Sequence, residues 1–345
     1  MPPSLSIVIP SYNRPELLRA CLEAVIRHAP AATEIVVVDD ASPGGVAGRV
    51  ASAFAAVRTV YLPRRLGFCG AANRGIQEAG AAVVEMLNDD TQVTAGWADT
   101  ALPHFQDAMV AAVAPLVLCL PPTAPGAGAP AFATIDSAGD RYYLGGVAGK
   151  RGHRRPMDDF SLRSCRVFGA SASSGFYRRD ALLHVGAFPE SFGAYFEDVD
   201  LAFRLNRAGY RVWFEPASHV LHHVSGSYGR TDRRLLAQQS CNEERVFWRN
   251  LPAAALTRAL PAHLAVLCAK ACRRWQEGNL LPFLAGRLRA LIEVRALLRH
   301  RAGLRRLGGD DDWRSWGVEA RYWGGAGAEE GAKGTSGSPP TRSPR

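Results

Sequence analysis

Short β-rich runs alternating with helical patterns over the first 120 residues limit what this chain can fold into more than any other feature. LSIVI (5–9), EIVVV (34–38), VRTVYL (57–62) and AVVEML (82–87) read as strands, with helical periodicity over about 14–28 and again near 69–80. Strands separated by helices are joined by crossovers, and crossovers build a layered α/β fold around a largely parallel sheet. The first helix has the clearest signals: Asn13 as cap, Glu16 at capping-box spacing, and Leu17, Leu18, Cys21, Leu22 and Val25 on one apolar face.

Farther along, LPPTAPGAGAPA (120–131) and the basic GKRGHRRP (149–156) read as surface loops. Helices are expected at about 180–185 and 198–208, followed by the strand YRVWFEP. The expected division is a catalytic α/β domain over 1–250, a basic amphipathic helical region over 251–322, and a Gly/Ser/Pro-rich disordered tail over 323–345.

Seven cysteines stand singly with no CxxC pair, which argues against a disulfide framework or a zinc site and for a reducing, cytoplasmic setting. The N-terminus has no secretory pattern, and no apolar run reaches about 18 residues. The formal charge of +9 calls for an anionic partner. Eleven Lys/Arg against two Glu fall within 253–308, so an anionic membrane surface is one candidate partner and a packed helical appendage with a solvated basic face is the other reading. Neither GxGxxG nor GxxxxGK[ST] occurs, which removes the phosphate cradles of dinucleotide oxidoreductases and P-loop enzymes.

Ligands of open α/β sheets gather at the carboxyl ends of strands. Three polar clusters fall there: Pro10-Ser11-Tyr12-Asn13, Asp39-Asp40 and Asn88-Asp89-Asp90. Each could be ordinary turn composition, but adjacent carboxylates repel unless a cation or a donor-rich ligand compensates them. Hard oxygen ligands beside a phosphate-bearing substrate suit Mg²⁺ or Mn²⁺. Glu197, Asp198 and Asp200 open a predicted helix, where its dipole alone would favour acids. His219, His222 and His223 follow the next strand as plain strand residues or as a metal ligand.

In this order, SIVIPSYNRPELLRACLEAV, EIVVVDDAS, LGFCGAANRGI, EMLNDDT, GAFPESFGAYFEDVDLAFRLNRAGY and VLHH resemble the inverting family-2 glycosyltransferases of the GT-A fold, in particular their bacterial rhamnosyltransferase-like branch. The resemblance covers about residues 4–225. It implies a nucleotide-diphospho-sugar transferase fold with a mostly parallel central sheet and, here, a C-terminal helical appendage. It also implies sugar transfer from a nucleotide diphosphate sugar to a hydroxyl of a carbohydrate or lipid-linked acceptor, at the inner face of the cell membrane; nucleic acid is not an expected partner. Pro10, Tyr12, Asn13, Asp39, Asp40, Gly67, Asn73 and Asp89 would surround the donor, Asp90 and His222 would hold the divalent cation, and Asp198 would be the catalytic base. Two positions depart from the family pattern: Asn88 replaces the first acid of the DxD-type motif, and Arg65 stands where many relatives carry Asn. The rival reading is a non-catalytic nucleotide-sugar or carbohydrate binding protein of the same fold.

Overall fold

The computed structural model describes residues 4–120, 134–223, 232–308 and 312–320. The chain begins β1 (Leu5–Ser11), α1 (Pro15–His28), β2 (Thr33–Asp39), α2 (Val46–Ser52), β3 (Val57–Tyr61), α3 (Gly67–Glu78) and β4 (Val83–Leu87). These four strands pair in parallel, in the order β4-β1-β2-β3. Alternation along β1 sends Ile7 and Ile9 into one apolar cluster with α1, and Val8 into the other with α3. Both faces are covered, which is why these strands are near-continuous apolar runs.

Glu85 interrupts that pattern. It is fully buried in β4, where its carboxyl accepts from Trp97 Nε1 at 3.0 Å and Ser174 Oγ at 3.3 Å. Burial pushes it up to about 8, against the lowering effect of these two hydrogen bonds.

Beyond β4 come β5 (Thr91–Val93), α4 (Trp97–Ala101), β6 (Val110–Cys119), β7 (Ile135–Ser137), β8 (Asp140–Tyr143), β9 (Val147–Lys150), β10 (Cys165–Val167), β11 (Ser174–Arg178), α5 (Arg179–His184), α6 (Glu197–Arg207) and β12 (Arg211–His222). Here the sheet is mixed: β11 runs antiparallel between β4 and β6, while β12 runs parallel to β6 and antiparallel to β5 and β10. The largely parallel expectation therefore holds for the first half only. Antiparallel neighbours need no helical crossover, so this half lacks the strand-helix alternation of the first.

Other sequence expectations also change. α1 starts at Pro15, with Arg14 at the cap position and no side-chain capping bond. Asn13 takes a positive φ of 55° and its backbone N–H donates to Ser42 Oγ instead. Proline at the first helical position is preset for the helix and has no N–H to satisfy, so the capping box is not used. YRVWFEP is the opening of one long strand, whose register shifts between Glu215 and His219 around Pro216. Of the basic stretch 149–156, Lys150 turns inward rather than lying in a surface loop. Residues 121–131 of the Pro/Gly/Ala stretch and the tail over 323–345 lie outside the described residues.

The C-terminal part forms α7 (Arg233–Asn250), α8 (Ala253–Gln276), α9 (Leu280–Ile292), α10 (Val294–Leu304) and β13 (Val318–Glu319), the last pairing with β8. Ala255, Ala259, Trp313, Trp316 and Val318 belong to the same apolar cluster as Val8 and Met86, so packing crosses residue 250. Among the described residues no helix is long and apolar enough to cross a membrane.

Candidate functional site

The carboxyl ends of β1, β2 and β4 meet at one rim. Asp89 accepts from Ser11 Oγ at 2.8 Å, and the Arg14 guanidinium lies between the two acids, 3.3 Å from Asp89 and 3.0 Å from Asp90. Burial drives Asp89 up to about 6, opposed by Arg14 and Ser11. Asp90 is also buried, yet His222 and Arg14 outweigh that penalty and hold it below the usual carboxylate range.

β12 brings His222 to this rim from 132 residues along the chain. Its Nε2 is 3.2 Å from Asp90 Oδ1, and its Nδ1 is 3.0 Å from Asp136 Oδ2. Burial opposes a charged imidazole, but the bonds to Asp136 and Asp90 prevail and raise His222 to about 9. Asp136 also pairs with Lys150 at 2.8 Å and is held far below the ordinary range by His153, His222 and Lys150, against its burial. The neighbouring His223 turns to Gln92, with only its backbone N–H reaching the Asp90 carbonyl. His222 is the last residue of β12 and His223 lies just beyond it, and the two side chains part there, a distinction that HH alone does not make.

Asp90 and His222 fit a divalent cation. Two donors about 2.1 Å from an ion and at right angles to each other stand about 3 Å apart, close to the observed 3.2 Å. A carboxylate hydrogen-bonded to the far nitrogen of a ligating histidine fixes its tautomer and orientation, and Asp136 is so placed. Among the described residues no group of three or more His, Cys, Asp or Glu side chains forms a closed cage. An ion that keeps waters and takes substrate phosphates needs none.

The acids at the start of α6 separate into three environments. Asp200 is fully buried among Arg204, Arg249 and Asn250, a structural ion-pair cluster. Glu197 is buried, and its Oε2 has no hydrogen-bond partner among the described residues. Asp198 is partly exposed and accepts from the Ala172 and Val199 backbone N–H groups at 3.3 and 2.8 Å. Desolvation raises its carboxyl against the pull of these bonds. Tyr195 and Phe196, just before α6, both have positive φ, at 72° and 66°. Asn242 of α7 restrains that strained turn by donating to the carbonyls of Phe192, Ala194 and Tyr195.

One short segment joins the two groups. Ser173 O accepts from Asn88 N–H at 2.9 Å, while the adjacent Ala172 N–H holds Asp198. Lys150 contributes as well, since its charge acts on Asp136, Asp140 and Asp198.

The remaining donor-side candidates are placed as follows. Asp39 accepts the backbone N–H groups of Ser42 and Gly48, and Asp40 those of Leu66 and Gly67. Gly67 needs its glycine, since φ is +75° where it meets Asp40. Asn73 clasps Phe188 through both its N–H and its C=O. Asp39, Asp40 and Asn73 therefore each carry loop structure. Tyr12 lies under the Arg65 guanidinium at 3.8 Å, beside exposed Asn13, while Pro10 pairs with Val38 inside the sheet. Arg14, Asp136 and Lys150 were not singled out from the sequence. Arg14 could have been suspected as the cation nearest the paired acids, whereas nothing local marks Asp136.

Residues 6–127 match the family profile described as glycosyl transferase family 2. The chain contains a family-2 glycosyltransferase domain. A pre-mycofactocin glycosyltransferase of Mycobacterium tuberculosis is 28% identical over 219 residues, covering 63% of this chain and 42% of that protein. An N-acetylglucosaminyl-diphospho-decaprenol L-rhamnosyltransferase of the same organism is 43% identical over 67 residues, covering 19% of this chain and 22% of the relative. The chain thus spans less than half the length of either relative. In fold, this glycosyltransferase domain and its C-terminal helices resemble a mannosyltransferase from Pyrobaculum calidifontis, solved with GDP-Man and Mn²⁺. The TM-score is 0.52 at 20% identity, with 92% of this chain and 84% of that one covered. This likeness agrees with the GT-A fold expected from the sequence.

Proposed function

We propose that the protein transfers a sugar, with inversion, from a nucleotide diphosphate sugar to a hydroxyl of a carbohydrate or lipid-linked acceptor. The setting would be bacterial cell-surface polysaccharide or glycolipid synthesis at the inner face of the membrane. The observation that carries this reading is the link through Ala172-Ser173 between the Asp90 loop and Asp198. It supports reading the Asp90 rim and the raised Asp198 carboxyl as parts of one site.

Asp90 and His222 would hold Mg²⁺ or Mn²⁺, which when bound supplies Lewis-acid stabilisation to the diphosphate leaving group. Asp136 keeps the His222 ring in register. Arg14 offers a second positive charge beside the same acids. Asp198 takes the proton of the attacking hydroxyl, and its desolvated carboxyl is a better acceptor than a solvated aspartate. One base and one displacement invert the anomeric centre. The decaprenol-linked substrate in the name of one relative supports a lipid-linked acceptor.

The test is a panel of nucleotide sugars, scored for cation-dependent hydrolysis and for protection against heat. One nucleotide class should protect, and Asp90→Ala should remove both signals. Full activity of Asp90→Ala in excess chelator would overturn the reading.

A further inference from the structure

We infer that α8, α9 and α10 form a face that seats the protein on an anionic lipid bilayer. α9 is apolar on two opposite sides. Its inner side is pressed on α7: a Cβ at Gly286 would stand 2.2 Å from the Ala237 carbonyl oxygen, so the two backbones touch. Arg287 is buried against Glu243 and Glu244, and Ser240 Oγ donates to the Phe283 carbonyl at 2.7 Å. These contacts prevent α9 from rolling over to bury its other side.

That other side carries Leu281, Leu284, Leu288, Leu291 and Ile292, which are 46–79% exposed. At about 100° per residue they occupy an arc of roughly 100°. α8 adds exposed Leu260, Leu264 and Trp275, and α10 adds Val294 and Leu298. Large apolar side chains gathered on one arc of α9, with more exposed on the helices either side of it in sequence, mark an interaction surface rather than scattered exposure.

Charge selects the occupant. Arg295 and Arg299 are exposed beside these side chains. The two acids of residues 253–308 are already engaged, Glu277 by Arg273 and Arg274 and Glu293 by Arg245 and Arg289. A second copy of this face would set arginines against arginines, whereas an anionic bilayer takes the leucines into its interface and pairs the arginines with headgroups. Trp275, amphipathic and 71% exposed near the basic end of α8, suits the interfacial layer.

Between α7, α8, α9 and the turn before α6 lies a recess of about 370 Å³, lined by Tyr195, Phe196, Lys270, Arg273, Arg274 and Phe283. Phe196 directly precedes Glu197-Asp198, so a bilayer-anchored acceptor would approach the base from this side. That last step rests on the transfer reaction proposed above; the surface itself does not.

Flotation of the full chain with vesicles tests the surface. The protein should float with phosphatidylcholine vesicles containing phosphatidylglycerol, and not with phosphatidylcholine alone. Combined Leu284→Glu, Leu288→Glu and Leu291→Glu should cut the bound fraction about tenfold, with thermal melting and nucleotide protection unchanged. Combined Arg295→Glu and Arg299→Glu should weaken flotation and make it less sensitive to salt. Absent flotation, or flotation unaffected by the leucine changes, overturns the inference. A dimer detected by light scattering and dissolved by the same leucine changes assigns the face to a second copy and equally overturns it. Flotation with no response to any nucleotide sugar would sink the transfer reading and leave the surface standing.

Discussion

Replacing Glu85 by Gln should change how stability depends on pH. Glu85 is raised by burial from 4.5 to about 8, so between those values it stays protonated in the native chain and ionises when the chain unfolds. The native state then binds more protons, and stability is complete below about pH 4.5 and falls as pH rises toward 8. At 1.36 kcal/mol per unit the interval is worth about 5 kcal/mol, an upper bound because water entry and relaxation reduce it. Gln keeps the volume and can still accept from Trp97 Nε1, while its amide N–H can donate to Ser174 Oγ. Urea unfolding of both proteins at several pH values isolates the contribution of residue 85, since other titrating groups are common to both. The native protein should lose several kcal/mol relative to Glu85→Gln between pH 5 and 8. A constant difference between the two curves would show that Glu85 is ionised in the core, and the argument from burial would fail.

Asp198→Asn should lower turnover by roughly 10² or more with donor binding nearly unchanged and only a small drop in melting temperature, because the Asn oxygen can keep the shorter bond from Val199 N–H while the weaker one from Ala172 and the proton acceptor are lost. Normal turnover in this variant with a dead Glu197→Gln would move the base by one residue. Asp136→Asn should weaken Mn²⁺ binding about 10–100-fold, read directly by paramagnetic resonance, and unchanged affinity would remove Asp136 from any orienting role. His222→Ala should impair Mn²⁺ binding clearly more than His223→Ala; the reverse order would contradict the placing of His222 beside Asp90 and of His223 beside Gln92. Asn242→Ala should reduce turnover while preserving donor protection, since it releases the strained turn before Asp198; equal loss of both would mark it as a general stability residue.

The first half of the fold was legible because its rules are local. Alternating apolar runs and helical faces specify β1 to β4, α1 and α3, though not the short α2, and the acids after the strand ends fall on one rim as expected. What was not legible depends on long-range pairing. Asp136 belongs to a three-residue strand beside β6, and its meeting with His222 follows from β12 lying along β6. Turn composition at Asp39-Asp40 could not separate a ligand contact from loop bracing, and both acids prove to hold backbone N–H groups. Asp198 and Asp200 look alike in FEDVD, yet one is partly exposed and held only by backbone N–H groups, while the other is locked among Arg204, Arg249 and Asn250. Only the partners supplied by α7 tell them apart.

The mixed sheet has a consequence for how such a chain can diversify. The parallel half carries Asp39, Asp40, Asp89 and Asp90 on contiguous sequence, whereas His222, Asp136 and Asp198 are contributed by the later half through β7, β12 and α6. On the reading proposed above, a change of acceptor would therefore accumulate in the second half without disturbing the strands assigned to the nucleotide. The seam between β4 and β11 is where the two histories must stay compatible, for it is there that Asn88 and Ser173 bond across.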